Sequence, residues 1–220
     1  MERNPYPPVE VRVWGEYACF TRPEMKVERV TYPVPTPSAA RGVLEAIFWK
    51  PEFTWRVEEI RVLRPIRYFS ILRNEVNSRQ SERSARGWQK NGGGYDASAD
   101  RAQRHTLALR DVAYIIRAQV ELRPGVEESP AKYRDQFHRR VREGRCFATP
   151  YLGCREFSAS FAEPDGTEQP IDLTDSLGLM LLDLEYATST SGRNVPRFFD
   201  AHLEHGVLRV PAAPQVGSGA

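Results

Sequence analysis

Lys132 stands two residues after Pro130 in Ser129-Pro-Ala-Lys-Tyr, a run that reads as a helix start with a capping serine and a proline in the first turn. Free backbone N–H groups and the helix dipole favour an anion at such an end, and a lysine there adds a full charge able to reach a phosphate. Arg139, Arg140 and Arg142 continue the basic face of the same predicted helix, 130–143, which Gly144 closes. Its other face carries Tyr133, Phe137 and Val141 at spacing four. The plain alternative is an ordinary charged helix exterior. A second basic stretch spans 73–104, with Arg83, Arg86, Lys90 and Arg104 interleaved with Trp88 and Tyr95, and flanked by Tyr68 and Phe69. Rings among arginines suit unpaired bases, which stack while cations hold the backbone. Phe69 reads as core at a strand end, and Trp88 as exposed.

Other chemistries find little support. His105, His138, His202 and His205 include no HExxH pair, and His202 with His205 reads as a hairpin surface pair rather than a metal site. Cys19, Cys146 and Cys154 are too few and wrongly spaced for a zinc site or a disulfide framework, which points to reduced thiols in a cytoplasmic protein. Gly92-Gly-Gly94 lacks the Lys-Ser/Thr of a phosphate-binding loop, and no GxSxG occurs. No metal or other cofactor is expected. No apolar run is long enough for a membrane span, and Met-Glu-Arg-Asn-Pro-Tyr-Pro-Pro has no signal-peptide core.

The net charge of +2 hides an asymmetry. Residues 61–110 carry eleven Lys/Arg against four Asp/Glu, and 132–145 six against two, while 151–220 carry four against ten. The basic blocks can neutralise phosphates; the acidic C-terminal region is the natural face for protein partners.

The elements that must position these residues follow from periodicity. Val9, Val11 and Val13 alternate as a half-buried strand. Pro33-Val-Pro-Thr-Pro37 is a stiff connector, and Ser38 is expected to cap a helix over 39–49 whose stripe is Ala40, Val43, Leu44, Ile47 and Phe48. Residues 53–63 form a strand bent near Glu58-Glu59, and 73–104 reads as a mobile or extended loop. A long strand or bent pair covers 107–122; 178–186 reads as a buried strand, and a last pair turns at Glu204-His-Gly206. The order β-α-β, basic insertion, β, α, then β-rich predicts an α+β fold compatible with an elaborated ferredoxin-like sheet, which fixes no function by itself.

Three stretches together carry a resemblance: Arg12-Val-Trp-Gly-Glu-Tyr-Ala-Cys-Phe-Thr-Arg-Pro-Glu-Met-Lys-Val-Glu-Arg29, Pro37-Ser-Ala-Ala-Arg-Gly-Val-Leu-Glu-Ala-Ile-Phe-Trp-Lys-Pro51 and Pro150-Tyr-Leu-Gly-Cys-Arg-Glu-Phe157. With Val62-Leu-Arg-Pro-Ile66, Arg73-Asn-Glu75 and Leu109-Arg-Asp-Val112, the chain resembles the Cas-five family of CRISPR-associated proteins, type I-C branch, from about residue 9 to 210. The resemblance implies a modified ferredoxin-like (RRM/RAMP) domain over 1–157, with the insertion at about 73–104, and a small antiparallel β domain over 158–220. It implies a pre-crRNA endoribonuclease that cuts at the base of the repeat hairpin without a metal and leaves a cyclic phosphate. The product stays bound by its 5′ handle, and the protein, a monomer when isolated, joins the backbone (Cas-seven) and large subunits of the Cascade surveillance complex. A non-catalytic subunit that only clamps the 5′ handle is the alternative.

The family assigns catalysis to a tyrosine in the first helix and a Lys-His pair early in the second. These positions fall on Phe48, Lys132 and Tyr133, of which only the lysine matches. Phe48 has no titratable group, and a tyrosine with a reference pKa of about 10 is a poor base at neutral pH. Lys132 is therefore expected to stabilise the transition state, with Tyr133, His105 or His138 handling protons. Arg83, Arg86, Trp88, Lys90, Arg104, Arg139 and Arg140 are the expected RNA contacts.

Overall fold

The computed structural model describes residues 6–25, 27–185 and 195–212. In chain order these form β1 (Val9–Ala18), β2 (Arg29–Val30), α1 (Pro37–Ile47), β3 (Phe53–Val62), β4 (Tyr68–Val76), α2 (Glu82–Asn91) and β5 (Arg101–Leu122). Then come α3 (Pro130–Arg142), β6 (Ser160–Ala162), β7 (Asp175–Glu185), β8 (Val195–Glu204) and β9 (Val207–Arg209). The result is a mixed α+β fold on one large curled sheet, ordered β6, β1, β5, β3, β9, β8, β7, with β2 and β4 also joined to β5. Every pairing is antiparallel except the short β2–β5 contact.

The spine is β5, 22 residues long. Its C-terminal half lies between β1, with Val9 opposite Ala118, and β3, with Phe53 opposite Leu122. Its N-terminal half pairs instead with β4, from Tyr68 opposite Leu109 to Val76 opposite Arg101. The switch of partner falls at Asp111, whose φ of 54° is a left-handed conformation that a short polar side chain tolerates. Arg64 and Arg67, in the link from β3 to β4, both pair with Asp111 and hold the bend.

Alternation along β1 buries Val9, Val11 and Val13, as the period-2 pattern required. The bend expected near Glu58-Glu59 is a register shift between Val57 and Glu59 in β3. One correction concerns the cap of α1. Thr36, not Ser38, caps it: the Thr36 hydroxyl accepts the Ala39 N–H at 3.2 Å and Pro37 takes the first turn. The predicted cap at Ser129 holds, its hydroxyl accepting the Ala131 N–H at 3.3 Å.

Another correction concerns 73–104, which is not a loop. Arg73–Val76 continues β4, Arg101–Arg104 opens β5, and α2 sits between them, making a two-stranded arm tipped by a helix. The helix has a serine cap, Ser81, yet buries none of its residues, so its sequence shows no apolar stripe. β7 is also not buried throughout: Met180 is covered while Leu179 faces outward. Its expected end at Tyr186 lies outside the described residues. The turn expected at Glu204-His-Gly206 is found, with His205 and Gly206 both at positive φ, 47° and 76°, as a two-residue hairpin needs. Strands after residue 158 reach back to the first part of the chain, β6 onto β1 and β9 onto β3.

α1 and α3 lie over the sheet and meet in an aromatic cluster. Phe53, first residue of β3, places its ring 5.6 Å from Phe48, 5.1 Å from Trp55 and 4.9 Å from Tyr133. Trp55 continues to Phe137 at 4.9 Å and donates its indole N–H to the Phe48 carbonyl at 3.0 Å. This packing fixes the start of α3 against the end of α1.

Candidate functional site

Lys132 lies in the first turn of α3 with its side chain half exposed. Its ammonium pairs with Glu128 at 2.8 Å and lies 5.9 Å from the centre of the Tyr133 ring. The Glu128 hydrogen bond, above all, raises the lysine's pKa, so the charge is secure at neutral pH. Tyr133 is buried as a ring, and the loss of hydration followed by the nearby Glu52 charge pushes its hydroxyl upward. It therefore stays protonated and can donate, but it is no base at neutral pH. Phe48 is 1% exposed, a core residue capping α1, with the Arg140 guanidinium 5.2 Å above its ring.

Glu52 completes the cluster, and the sequence reading passed over it. It precedes Phe53, and its carbonyl accepts the Arg123 N–H at 2.9 Å across the end of the β3–β5 ladder. One carboxylate oxygen, Oε2, is buried without a hydrogen-bond partner. Its charge acts on both Lys132 and Tyr133. In the sequence, Pro51-Glu52 looks like plain turn; only the pairing of β3 with the far end of β5 brings it beside α3.

His105 does not join this cluster. It is exposed in the arm opposite Leu72, seventeen positions along β5 from Leu122. At about 3.3 Å per residue that is on the order of 50 Å of strand, bent at Asp111. His138 is on α3 but six residues from Lys132, about two thirds of a turn round the axis, and its Nδ1 faces Glu163 at 3.6 Å.

The remaining predicted contacts divide into two groups. Arg139 and Arg140 stay with Lys132 on α3. Arg140 is partly committed to structure, donating to the Ile47 carbonyl at 3.2 Å. Arg83, Arg86 and Lys90 are exposed on α2, and Arg104 bonds Asn77 in the arm at 3.2 Å. Trp88 is not the free ring expected. It is half covered, stacked on Tyr95 at 6.3 Å with planes 17° apart, and so ties α2 to the following turn. Phe69 packs on Tyr17 at 4.7 Å, and Tyr68 is exposed.

At the base of the arm, Arg29 spans Glu75 and Glu156 at 3.5 and 3.7 Å and donates to Cys154 Sγ at 3.3 Å. Cys154 and Cys19 are buried neighbours. The Cys154 thiol donates to the Cys19 carbonyl at 3.7 Å, and the Cys19 thiol, helped by Arg29, lowers the Cys154 pKa against the effect of burial. His202 and His205 each face their own aspartate, Asp200 at 3.0 Å and Asp172 at 2.6 Å. Among the described residues no group of three or more His, Cys, Asp or Glu could hold a metal ion, and no helix is long and apolar enough to cross a membrane.

Residues 9–211 match the family described as CRISPR-associated protein Cas5, in its Cas5d group. The CRISPR pre-crRNA endoribonuclease Cas5d of Thermus thermophilus is 46% identical over 93% of this chain and 91% of its own length. The protein of the same name from Mannheimia succiniciproducens is 43% identical over 92% of this chain and 94% of its own. A solved structure described as a CRISPR-associated protein shares the fold, with a TM-score of 0.66 at 24% identity over 93% of this chain and 92% of that one. A match of that length, with identities above 40% over nearly the whole chain, means that this protein belongs to the Cas5d family of CRISPR-associated proteins.

Proposed function

We propose that this protein is a pre-crRNA endoribonuclease that cuts repeat RNA by metal-independent attack of a 2′-OH on the adjacent phosphorus. The single observation that carries the reading is the Lys132, Tyr133 and Glu52 cluster at the start of α3, in a chain 46% identical to a protein named for that activity. Glu52 takes the proton of the 2′-OH, whose oxygen then attacks phosphorus. Lys132 neutralises the charge that builds on the phosphoryl oxygens. Tyr133, held protonated, donates to the leaving 5′ oxygen as the P–O5′ bond breaks. The products are a 2′,3′-cyclic phosphate and a 5′-hydroxyl, and DNA, which lacks the 2′-OH, is not cut.

The product's 5′ handle stays on the basic surface. The protein serves as a cytoplasmic subunit of the type I-C surveillance complex beside the backbone and large subunits, and is a monomer alone. In this reading the fold is a modified ferredoxin-like domain over 1–157 with a small β domain over 158–220. The acidic C-terminal region faces protein partners. A second reading, a handle clamp without cleavage, rests on Phe48, which puts no acid or base where the family has a tyrosine.

The test is incubation of the purified protein with labelled repeat RNA in EDTA, beside a copy bearing deoxyribose at the cut site. Cutting of the first and not of the second is expected. Tight binding with both RNAs intact would favour the clamp.

A further inference from the structure

Trp49 and Phe147 are large aromatic side chains left 45% and 72% exposed, and neither is used by the cluster around Lys132. Backbone hydrogen bonds bring their chain segments together. The Phe147 N–H donates to the carbonyls of Ala46 and Ile47 at 2.8 and 3.2 Å, and the Ala148 N–H to Ala46 at 2.9 Å. The segment after α3 is thus stitched to the last turn of α1, two residues before Trp49. Cys146, the residue before Phe147, helps line an open groove of about 270 Å³ with Arg139, Arg140, Glu143 and Arg145. Lys50 is exposed next to Trp49. Arg145 pairs with Glu143 at 3.3 Å, and Arg139 has no ion pair among the described residues.

Arg139 is seven residues after Lys132, two turns along α3 on nearly the same azimuth and about 10 Å farther along the axis. Lys132 and Arg139 therefore share the exposed face of α3, with Gln136 and Asp135, the latter paired with Arg134, between them. Apolar rings alone would suit many partners. Rings set among arginines and a lysine, with Glu143 the single acid lining the groove, match a polyanion whose unpaired bases offer flat faces.

We propose that Trp49 and Phe147, with Arg139 and Arg145, form a binding site for unpaired RNA nucleotides next to the repeat hairpin, the bases stacking on the rings and the phosphates meeting the arginines. The proposal rests on the RNA-processing reading for the identity of the strand, but not on cleavage. It places a single-strand track at the junction of α1 and α3, apart from the arm.

The experiment uses the full chain and two probes, a short oligouridylate and the repeat RNA, with binding read by fluorescence anisotropy. Phe147→Ala and Trp49→Ala are each expected to weaken oligouridylate binding roughly tenfold, within the range of base–aromatic stacking. Phe147→Tyr should restore it, and Arg139→Ala should flatten its salt dependence. Because Phe147 is largely exposed, its variants keep the fold, which circular dichroism checks. Oligouridylate affinity unchanged in both alanine variants overturns the site. So does unchanged RNA affinity with lost binding to the other complex subunits, which would make the patch a protein interface. Oligouridylate binding that depends on Phe147 in a protein that leaves repeat RNA whole would keep this site and reject the nuclease.

Discussion

Lys132 and Tyr133 are both held in their protonated forms, one by its bond to Glu128 and the other by burial and the Glu52 charge. Ordinary values for these groups are about 10.4 and 10, and both shift upward, so neither loses its proton as pH rises through the neutral range. Single-turnover cleavage should therefore not decline between about pH 7 and 9. A loss centred near pH 8 would show that another group carries the acid step. Substitution separates the roles further. Glu52→Gln removes the proton acceptor and Lys132→Ala the charge on the phosphorane-like state. Each should slow cleavage by roughly 10²–10⁴-fold while RNA affinity changes little. A Glu52→Gln rate within threefold of the parent would leave Glu52 a structural acid with a buried oxygen. Lys132 was legible in the sequence because the Ser-Pro start declares the helix end by itself. Glu52 was not, since its place depends on which strand the end of β5 meets.

At the scale of elements, legibility followed burial. β1, α1 and α3 press one face on the core, so their periods show in the sequence, and Tyr133, Phe137 and Val141 are buried as their spacing demanded. The arm has no such face: Tyr68, Leu72 and Val76 of β4 point to solvent, α2 buries nothing, and the arginines mask the strand pattern. The cap of α1 was misplaced by two residues because Thr36 and Ser38 flank a proline and both are capping types; only the bond to Ala39 decides between them. Since Arg83, Arg86 and Lys90 are exposed on α2 and lie outside the Trp88–Tyr95 stack, replacing them together by alanine should leave the melting temperature unchanged. The slope of log affinity for RNA against log salt should fall by about two if all three meet phosphates. An unchanged slope would assign the helix to subunit docking. Arg140 is the contrary case. It holds the end of α1 at Ile47 and covers Phe48, so Arg140→Ala should cost about 1–2 kcal/mol of stability, measured by denaturant unfolding. A fully stable Arg140→Ala that binds RNA poorly would instead make it a phosphate contact first.

Across the whole molecule, long-range pairing joins the two ends of the chain through the sheet, β6 onto β1 and β9 onto β3, while β5 runs from the basic arm to the cluster at α3. The junction where arm meets sheet is the Cys19–Cys154 pair, with Gly153 packed so closely on the Cys19 carbonyl that any Cβ would lie 2.0 Å from it. This junction offers a readout of global packing. Cys154, whose pKa is lowered by the Cys19 thiol and Arg29, would react quickly if reagent reached it. Cys154 is only 8% exposed and Cys19 fully covered, whereas Cys146 is exposed. Titration of the native protein with a disulfide reagent should therefore show one fast equivalent, from Cys146, and two slow ones. The slow pair should accelerate in denaturant in step with the unfolding of the sheet, because opening must precede reaction. Two fast equivalents in the native state would mean that the 150–157 turn lifts from β1 on its own. The base of the arm would then be a hinge rather than part of the core.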